Sequence, residues 1–329
     1  MRILIQGAGS IGQRHYRNAH ALGHEAAFLR STSNRRQFVQ KFYDEEQEHG
    51  RPVIEFSSLD QACAEWKPEA LVVATPNHLH LEHALAAANA GLHILIEKPL
   101  HSKEEGLDEL EKITTQKNLT ALVGYNLRFH PLLKKVHGLI YRGEIGRILS
   151  ATVEVGEAIE DWHPWEDYCD TYAPYIETGG GALLCFSHDI DYLYWLLGMP
   201  NKVVSGGGKV TPLLGNAEDL VQGLWMYADG KTASIHIDYF QRPKVRTLKV
   251  IGTEGSIQWD AYGKLIHTDR STGTLSSEEV PEGFERNDMF IEELRHFVAC
   301  TEGKEHPLIS IREGREVLGI VEQMKQGII

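Results

Sequence analysis

The chain has 329 residues, of which 42% are hydrophobic and 24% charged, and its formal net charge is −13. The length exceeds one typical domain and the composition is that of a soluble globular protein, so we expect two domains. The negative charge disfavours nucleic acid or an anionic membrane as a partner, and the sequence lacks the run of about 18 apolar residues that a membrane span needs.

The start of the chain and its cysteines bear on location. The opening "MRILIQGAGS" does not have the apolar segment and cleavage site of a signal peptide. Cys63, Cys169, Cys185 and Cys300 are scattered, with no C-x-x-C spacing. We therefore expect a cytoplasmic protein with reduced thiols, and no metal site.

Up to Tyr125, apolar strand-like segments alternate with amphipathic helical segments. Strands are predicted at "RILIQG", "EAAFLR", "VIEF", "ALVVAT", "HILIEK" and "TALVGY", with helices between them. This alternation predicts an α/β domain, a Rossmann-type doubly wound parallel sheet, over residues 1–124.

The pattern changes in residues 125–329. A helix is predicted at "PLLKKVHGLIYRG", a strand at "GRILSATVEV" and one long helix at "GALLCFSHDIDYLYWLLG". Strands then follow one another at "LVQGLWMYA", "TASIHIDYF", "RTLKVIGT", "GSIQWDA" and "KLIHTD", and two helices close the chain. Successive strands predict an α+β domain built on a large, mostly antiparallel open sheet. The terminal helix of the chain packs either on this second domain or back on the first.

The segment "GAGSIG" after the first strand has the spacing G-x-G-x-x-G. At the junction of a strand and a helix this spacing predicts a dinucleotide site. Gly7 permits the turn, Gly9 lets the backbone approach a pyrophosphate, and Gly12 lets helix and strand pack closely. Ser10 and Ile11 open the helix, whose N-terminal amides attract phosphate.

The end of the second strand bears on the choice between NADP and NAD. An NAD site usually has Asp or Glu there, to hold the ribose 2′-OH. The segment "FLRSTSNRRQF" has instead Arg30, Ser31, Thr32, Arg35 and Arg36. Guanidinium and hydroxyl groups suit a 2′-phosphate, so we predict NADP, with NAD as the alternative. A helix N-cap at Ser33 or Asn34, followed by solvated arginines, is the competing interpretation.

Polar residues also follow the fourth and fifth strands, as "ATPNHLH" and "EKP". Ligands of open α/β sheets bind outside the carboxyl ends of the strands. Together with "GAGSIG", "YNLRFHP" and "GGGALLCFSHDIDYLYWLLG", these segments resemble the Gfo/Idh/MocA family (glucose–fructose oxidoreductase and inositol dehydrogenase relatives) over nearly the whole chain. The resemblance implies contacts to the cofactor from Thr75, Pro76, Asn77, His80, Glu97 and Lys98.

The family resemblance also implies an activity. The expected reaction is NAD(P)-dependent hydride transfer involving a secondary hydroxyl or keto group of a sugar, sugar derivative or cyclitol. Lys98 would contact the reacting hydroxyl, where a cation stabilises a developing alkoxide, and His188 would act as general acid or base. An NAD-dependent redox glycosidase and a non-catalytic dinucleotide sensor are the alternatives.

The chain departs from the family near His188. Many relatives carry an aspartate one turn earlier, where this chain has Cys185. Asp189, Asp191 or a loop carboxylate then takes part of that role, or the substrate differs. Asp191 either orients the imidazole ring or fixes a packing contact.

The remaining candidates for substrate binding are aromatic and polar. Tyr125, Asn126 and Arg128 join the two domains and are expected to line the ligand site, although Arg128 equally suits a structural ion pair. The segment "EDWHPWEDYCDTYAPYIETGG" offers Trp162, His163, Trp165, Asp167 and Tyr168 for contact with a sugar ring, or alternatively for a subunit interface. The expected partners are a carbohydrate substrate and further copies of the chain, in a homodimer or homotetramer formed through the second domain's sheet.

Overall fold

The computed structural model describes residues 1–29, 36–162 and 167–328, without the side chains of residues 36–38. The chain forms two compact units. The first comprises Met1–Tyr125 and Arg286–Arg315, and the second comprises Asn126–Glu285 and Glu316–Ile329. The assignment of residues 1–124 to nucleotide binding and 125–329 to substrate binding stays a prediction.

The first unit contains a parallel sheet with the strand order β3-β2-β1-β4-β5-β6. Its strands are β1 (Arg2–Gln6), β2 (Glu25–Leu29), β3 (Ile54–Phe56), β4 (Ala70–Val73), β5 (His93–Glu97) and β6 (Ala121–Gly124). The helices between them are α1 (Ser10–Ala21), α2 (Arg36–Glu48), α3 (Leu59–Glu65), α4 (His80–Asn89) and α5 (Leu107–Gln116). The central strands are nearly continuous apolar runs because the sheet is buried on both faces. The predicted doubly wound sheet is confirmed, and its order reverses between β1 and β4.

The second unit is built on a sheet with the strand order β14-β13-β12-β11-β7-β10-β9-β8. Its strands are β7 (Ile148–Gly156), β8 (Lys202–Gly208), β9 (Leu220–Met226), β10 (Thr232–Asp238), β11 (Val245–Gly252), β12 (Gly255–Asp260), β13 (Lys264–Asp269) and β14 (Leu275–Glu279). Strands β7 and β10 are parallel, whereas every other described pair is antiparallel. The predicted mostly antiparallel open sheet is therefore confirmed.

The burial of successive residues shows which face of this sheet is covered. In β9, Val221 and Trp225 are buried, while Gln222 and Leu224 between them are exposed. Helices α6 (Pro131–Tyr141), α7 (Ala182–Cys185) and α8 (Ser187–Leu197) precede β8 in this unit. Contacts of α7 with β9 and β10, and of α8 with β7, show that helices cover one face.

Two details differ from the sequence prediction. The single long helix predicted after "GG" is divided into α7 and α8 at Phe186, whose backbone angles of φ −98 and ψ 26 are not helical. The edge strands β8 and β14 were not predicted, because β8 ends in three glycines and β14 is polar and exposed.

The last two helices are α9 (Arg286–Thr301) and α10 (Ile311–Lys325). Helix α9 belongs to the first unit, where Leu294 and Phe297 share a buried core with Ile3, Ile5 and Val72 of the sheet. Within the described part of the chain, no helix has the length and apolar character needed to cross a membrane. All four cysteines are free thiols.

Candidate active site

The loop between β1 and α1 is shaped by two glycines that no other residue can replace without displacement. Gly7 has a φ of +107°, and a Cβ there would lie 2.4 Å from the carbonyl oxygen of Ala74. A Cβ on Gly12 would lie 1.8 Å from the carbonyl oxygen of Gly7. The close approach of α1 to the loop therefore requires a glycine at position 12.

The N-terminus of α1 is open in front of this loop. Gly9 is the N-cap, and no described side chain caps its amides. A Cβ on Gly9 would meet no described atom within 4 Å, and Ser10 is exposed. Uncapped amides, the positive end of the helix dipole and open space beside Gly9 fit the pyrophosphate of a dinucleotide. Gly9, Ser10, Ile11 and Gly12 would hold that group.

The segments after β4 and β5 are joined by the ring of His80. Its Nδ1 lies 2.8 Å from the carbonyl oxygen of Pro99, and its Nε2 lies 2.8 Å from that of Thr75. Burial lowers the pKa of His80 to about 4, so the neutral ring donates one of these two hydrogen bonds at a time. Asn77 is buried in the turn between them, and its carbonyl oxygen contacts His101 Nδ1 at 3.0 Å, while Pro76 is exposed.

Glu97, the last residue of β5, lies in a buried cluster with two other ionisable side chains. Its Oε1 is 2.7 Å from Nε2 of His15 on α1. Glu293 on α9 completes the cluster. One ring nitrogen of His15 and one carboxylate oxygen each of Glu97 and Glu293 lie within 4.8 Å of one another. Burial raises the pKa of Glu97, but the hydrogen bond with His15 and the charges of His15 and Lys98 hold it below its ordinary value.

Lys98 follows directly and is half-buried. Its backbone N–H donates to Oε2 of Glu97 at 3.3 Å. The adjacent strand β6 leads to Tyr125, which is 1% exposed. The sheet order places the ends of β1, β4 and β5 side by side, so the glycine loop, the Thr75–His80 segment and Lys98 gather at one edge of the first unit.

In the second unit, His188 lies in the first turn of α8 and is half-buried. The two aspartates near it are both bound by arginines. Arg246 binds both oxygens of Asp189 at 3.1 Å. Arg128 binds those of Asp191 at 3.0 and 2.7 Å, and both partners are 0% exposed. Arg128 thus forms a structural ion pair, and it does so within the second unit.

Cys185, at the end of α7, is buried beside two phenols. Its Sγ lies 3.9 Å from the hydroxyl of Tyr172. Burial, and then the nearby Cys185 thiol, raise the pKa of Tyr239 well above its ordinary value, so its hydroxyl stays protonated. The ring of Trp162 is edge-on to Phe186 and Tyr239, with centroids 5.5 and 5.2 Å apart. Phe186 and Tyr239 are 5% and 3% exposed, so of these three rings only Trp162 is partly accessible.

The neighbouring "YNLRFHP" segment begins a short 3₁₀ turn at Asn126, which is buried and 5% exposed. Asp167 caps the turn at Tyr168–Asp170 by accepting a hydrogen bond from the amide of Cys169, and the Tyr168 hydroxyl accepts one from the amide of Leu214.

Some of the residues predicted from the sequence lie outside the described part of the chain. They are Arg30, Ser31, Thr32, Ser33, Asn34, Arg35, His163 and Trp165, together with the side chain of Arg36.

Several residues of these clusters were not predicted. His15 is hydrogen-bonded to Glu97 and Glu293 lies close to both, although the three come from distant parts of the sequence. Tyr239 directly follows β10, and Arg246 lies in β11. One signal was present for His15, since it stands one helical turn after Gly12 and therefore on the same side of α1.

Comparison with known families identifies both parts of the chain. The description "Oxidoreductase family, NAD-binding Rossmann fold" matches residues 1–125, and "GFO/IDH/MocA C-terminal domain" matches residues 133–258. A levoglucosan dehydrogenase solved in complex with NADH and levoglucosan has the same fold, with a TM-score of 0.84 and 21% identity over 99% of this chain and 96% of that chain.

Two curated relatives are similar over part of the chain. A 2,7-anhydro-N-acetylneuraminate hydratase of Escherichia coli (strain K12) is 29% identical over 214 residues, which are 63% of this chain and 55% of the relative. A levoglucosan dehydrogenase of Pseudarthrobacter phenanthrenivorans is 30% identical over 213 residues, which are 56% of this chain and 53% of the relative. The chain spans about half the length of these curated relatives.

Proposed function

Because the chain belongs to the Gfo/Idh/MocA oxidoreductase family, we propose that it transfers a hydride between a nicotinamide dinucleotide and a secondary hydroxyl or keto group of a sugar, sugar derivative or cyclitol. The observation that carries this proposal is the position of Lys98. It follows β5, two strands from β1 and its open glycine loop, at the carboxyl ends of the parallel strands, where open α/β sheets bind ligands.

We assign the two chemical roles to Lys98 and His188. Hydride leaves a carbinol carbon only as the hydroxyl proton is removed, and the oxygen carries negative charge in the transition state. The Lys98 ammonium stabilises this charge, and the His188 imidazole, which titrates near neutrality as a residue type, accepts the proton. A bound nicotinamide would supply the hydride acceptor.

The substrate class rests on the second unit and on the relatives. Trp162 is half-buried against the buried rings of Phe186 and Tyr239, and an indole that is partly accessible can stack on a sugar ring. The names of the relatives refer to levoglucosan and 2,7-anhydro-N-acetylneuraminate. Anhydro sugars therefore join free sugars and cyclitols as the compounds to test first.

The test is a screen of these compounds, with sugar phosphates and nucleotide sugars, for a change in nicotinamide absorbance. With a substrate in hand, Lys98→Ala and His188→Ala should each lower turnover by about 10²–10⁴-fold. Dinucleotide affinity should barely change, because the pyrophosphate is held by the loop from Gly7 to Gly12. Lys103→Ala, at an exposed lysine nearby, is the control and should retain full turnover. Dinucleotide binding without turnover of any compound would favour the sensor alternative, and near-normal turnover by His188→Ala would remove its role.

We propose NADP as the preferred dinucleotide, on the strength of the basic segment after β2. If Arg30 and its neighbours hold a 2′-phosphate, NADP(H) should bind at least about tenfold tighter than NAD(H), or about 1.4 kcal/mol. Arg30→Asp should reverse this order in calorimetric titrations. Equal affinities of the parent chain for both dinucleotides would refute the preference.

We also propose that the open face of the second sheet joins copies of the chain into a homodimer or homotetramer. Leu224, Val204 and Ile251 are 43%, 48% and 38% exposed on strands of this sheet. Single chains seldom leave such apolar side chains on one broad surface unless it is covered by a partner. Light scattering should give a multiple of the chain's mass of 37.0 kDa at micromolar concentration, and a monomeric mass would contradict this assembly.

A further inference from the structure

We propose that His15 is a positioning residue of this enzyme: by its hydrogen bond it keeps the Glu97 carboxylate charged and in place, and through Glu97 it sets the charge and position of Lys98. The proposal deepens the function proposed above and rests on it where turnover is concerned. It assigns a role to a residue of the nucleotide-binding helix that does not itself reach the reacting atoms.

The geometry links the three residues in sequence. His15 Nε2 lies 2.7 Å from Glu97 Oε1, and Oε2 of the same carboxylate accepts the backbone N–H of Lys98 at 3.3 Å. His15 is 0% exposed and Glu97 is 8% exposed, so water does not compete for these bonds. A carboxylate held at both oxygens fixes the end of β5, and Lys98 is the next residue.

The backbone of β6 and the ring of His15 both approach Glu97 closely. A Cβ on Gly124 of the adjacent strand β6 would lie 3.2 Å from Oε2 of Glu97 and 3.2 Å from its Cα. On the other side, the His15 ring is edge-on to Phe290 of α9, with centroids 6.0 Å apart. The carboxylate therefore sits between packed groups, and its hydrogen-bond partner determines its orientation.

The charge of Glu97 depends on the groups that face it. These are His15 and Arg14 from α1, His80 from α4, Glu293 from α9, and Lys98 itself. Burial and the neighbouring Glu293 favour the protonated carboxyl, whereas the hydrogen bond with His15 favours the carboxylate. Removal of the His15 donor should thus raise the pKa of Glu97 and weaken the negative charge beside the Lys98 ammonium.

Loss of the Glu97 charge should change the pH at which Lys98 loses its proton. An ammonium that loses a neighbouring anion gives up its proton at lower pH. Since the protonated Lys98 is the form that stabilises the developing alkoxide, the basic limb of the pH profile of turnover should move to lower pH. The dinucleotide is held by the glycine loop, so its affinity should not change together with turnover.

The test compares two replacements of His15. His15→Phe keeps a ring against Phe290 but removes the donor, whereas His15→Gln offers an amide N–H near the position of Nε2. We expect His15→Phe to lower turnover about tenfold and to shift the basic limb, and His15→Gln to restore most of both. His20→Phe, on the same helix and outside the cluster, is the control. The proposal would be overturned in favour of a packing role if His15→Phe lost dinucleotide affinity to the same extent as turnover, or if His15→Phe and His15→Gln lost equal amounts of turnover.

A second measurement does not depend on turnover. Reductive methylation of the protein with ¹³C-labelled formaldehyde permits the titration of Lys98 to be followed by NMR, with its signal assigned by its loss in Lys98→Arg. His15→Phe and Glu97→Gln should each move the midpoint to lower pH, and the double variant should add nothing further, because both act by removing the same charge. A Lys98 midpoint that does not move, or shifts that add in full, would refute the coupling. If no compound is turned over but the midpoint moves, the proposed activity fails and the coupling stands.

Discussion

The buried pair of Arg128 and Asp191 gives the sharpest test of how the second unit is held together. Both side chains are 0% exposed and joined by two hydrogen bonds of 3.0 and 2.7 Å. Asp191→Asn removes one charge of the pair and takes the Asp191 carboxylate away from a buried guanidinium. Loss of one partner of a buried pair typically costs about 3–5 kcal/mol, a large part of the stability of a domain. We expect a loss of that size.

The assay is urea unfolding followed by tryptophan fluorescence, which reports chiefly on the second unit because Trp195, Trp225 and Trp259 lie there. The guanidinium of Arg128 lies 5.4 Å from the Trp195 ring, so the signal is close to the perturbation. The matched control is Glu144→Gln, which breaks the exposed pair with Arg142 and should cost no more than about 1 kcal/mol.

The double variant Arg128→Met/Asp191→Leu separates packing from charge. It removes both ions together and should recover most of the stability lost by Asp191→Asn, because no buried charge is left alone. A cost below about 1 kcal/mol for Asp191→Asn would refute the structural role. If Arg128→Met lost substrate affinity but not stability, Arg128 would be assigned to substrate binding instead.

Three further outcomes are expected. Burial lowers the pKa of both His80 and His130 from 6.5 to about 4. Between pH 6.5 and about 4 the unfolded chain therefore binds more protons than the folded chain. The free energy of unfolding should fall as the pH drops through this range, by up to roughly 3 kcal/mol per ring. Urea midpoints measured against pH should show this decline, and His130→Phe should flatten it. Gly12→Ala should lower both thermal stability and dinucleotide affinity, whereas Gly9→Ala should lower affinity alone, and equal melting losses would contradict the open space at Gly9. Cys185→Ala should cost far less turnover than loss of the His188 ring, and Cys185→Asp should raise turnover by placing a carboxylate near that ring.

The parallel sheet could be predicted because its signals are local. Strands such as "ALVV" and "HILIE" are buried on both faces and read as continuous apolar runs, and glycines at positions 7, 9 and 12 stand where a strand meets a helix. The strands β8 and β14 lack such signals, because an edge strand has one neighbour and tolerates glycines or polar residues.

The clusters could be predicted only in part because their contacts are not local. Lys98 was identified from the three residues "EKP", whereas its link to His15 joins positions 82 residues apart. Periodicity placed Asp191 on the same face of a helix as His188, but it did not indicate that Arg128 would occupy that carboxylate. The break at Phe186 was hidden because no proline or glycine marks it.

The membership of α9 in the first unit has a consequence for the order of events on the ribosome. The six strands of the first sheet have all been synthesised by Gly124, but Leu294 and Phe297, which complete its core, emerge only after the whole of the second sheet. Until then the nascent chain displays the apolar surface around Ile3, Ile5 and Val72, a surface on which chaperones act and from which aggregates form. A chain that stops at Gly124 would therefore lack part of this core, and the last structural step of the first unit waits for residues made after the second sheet.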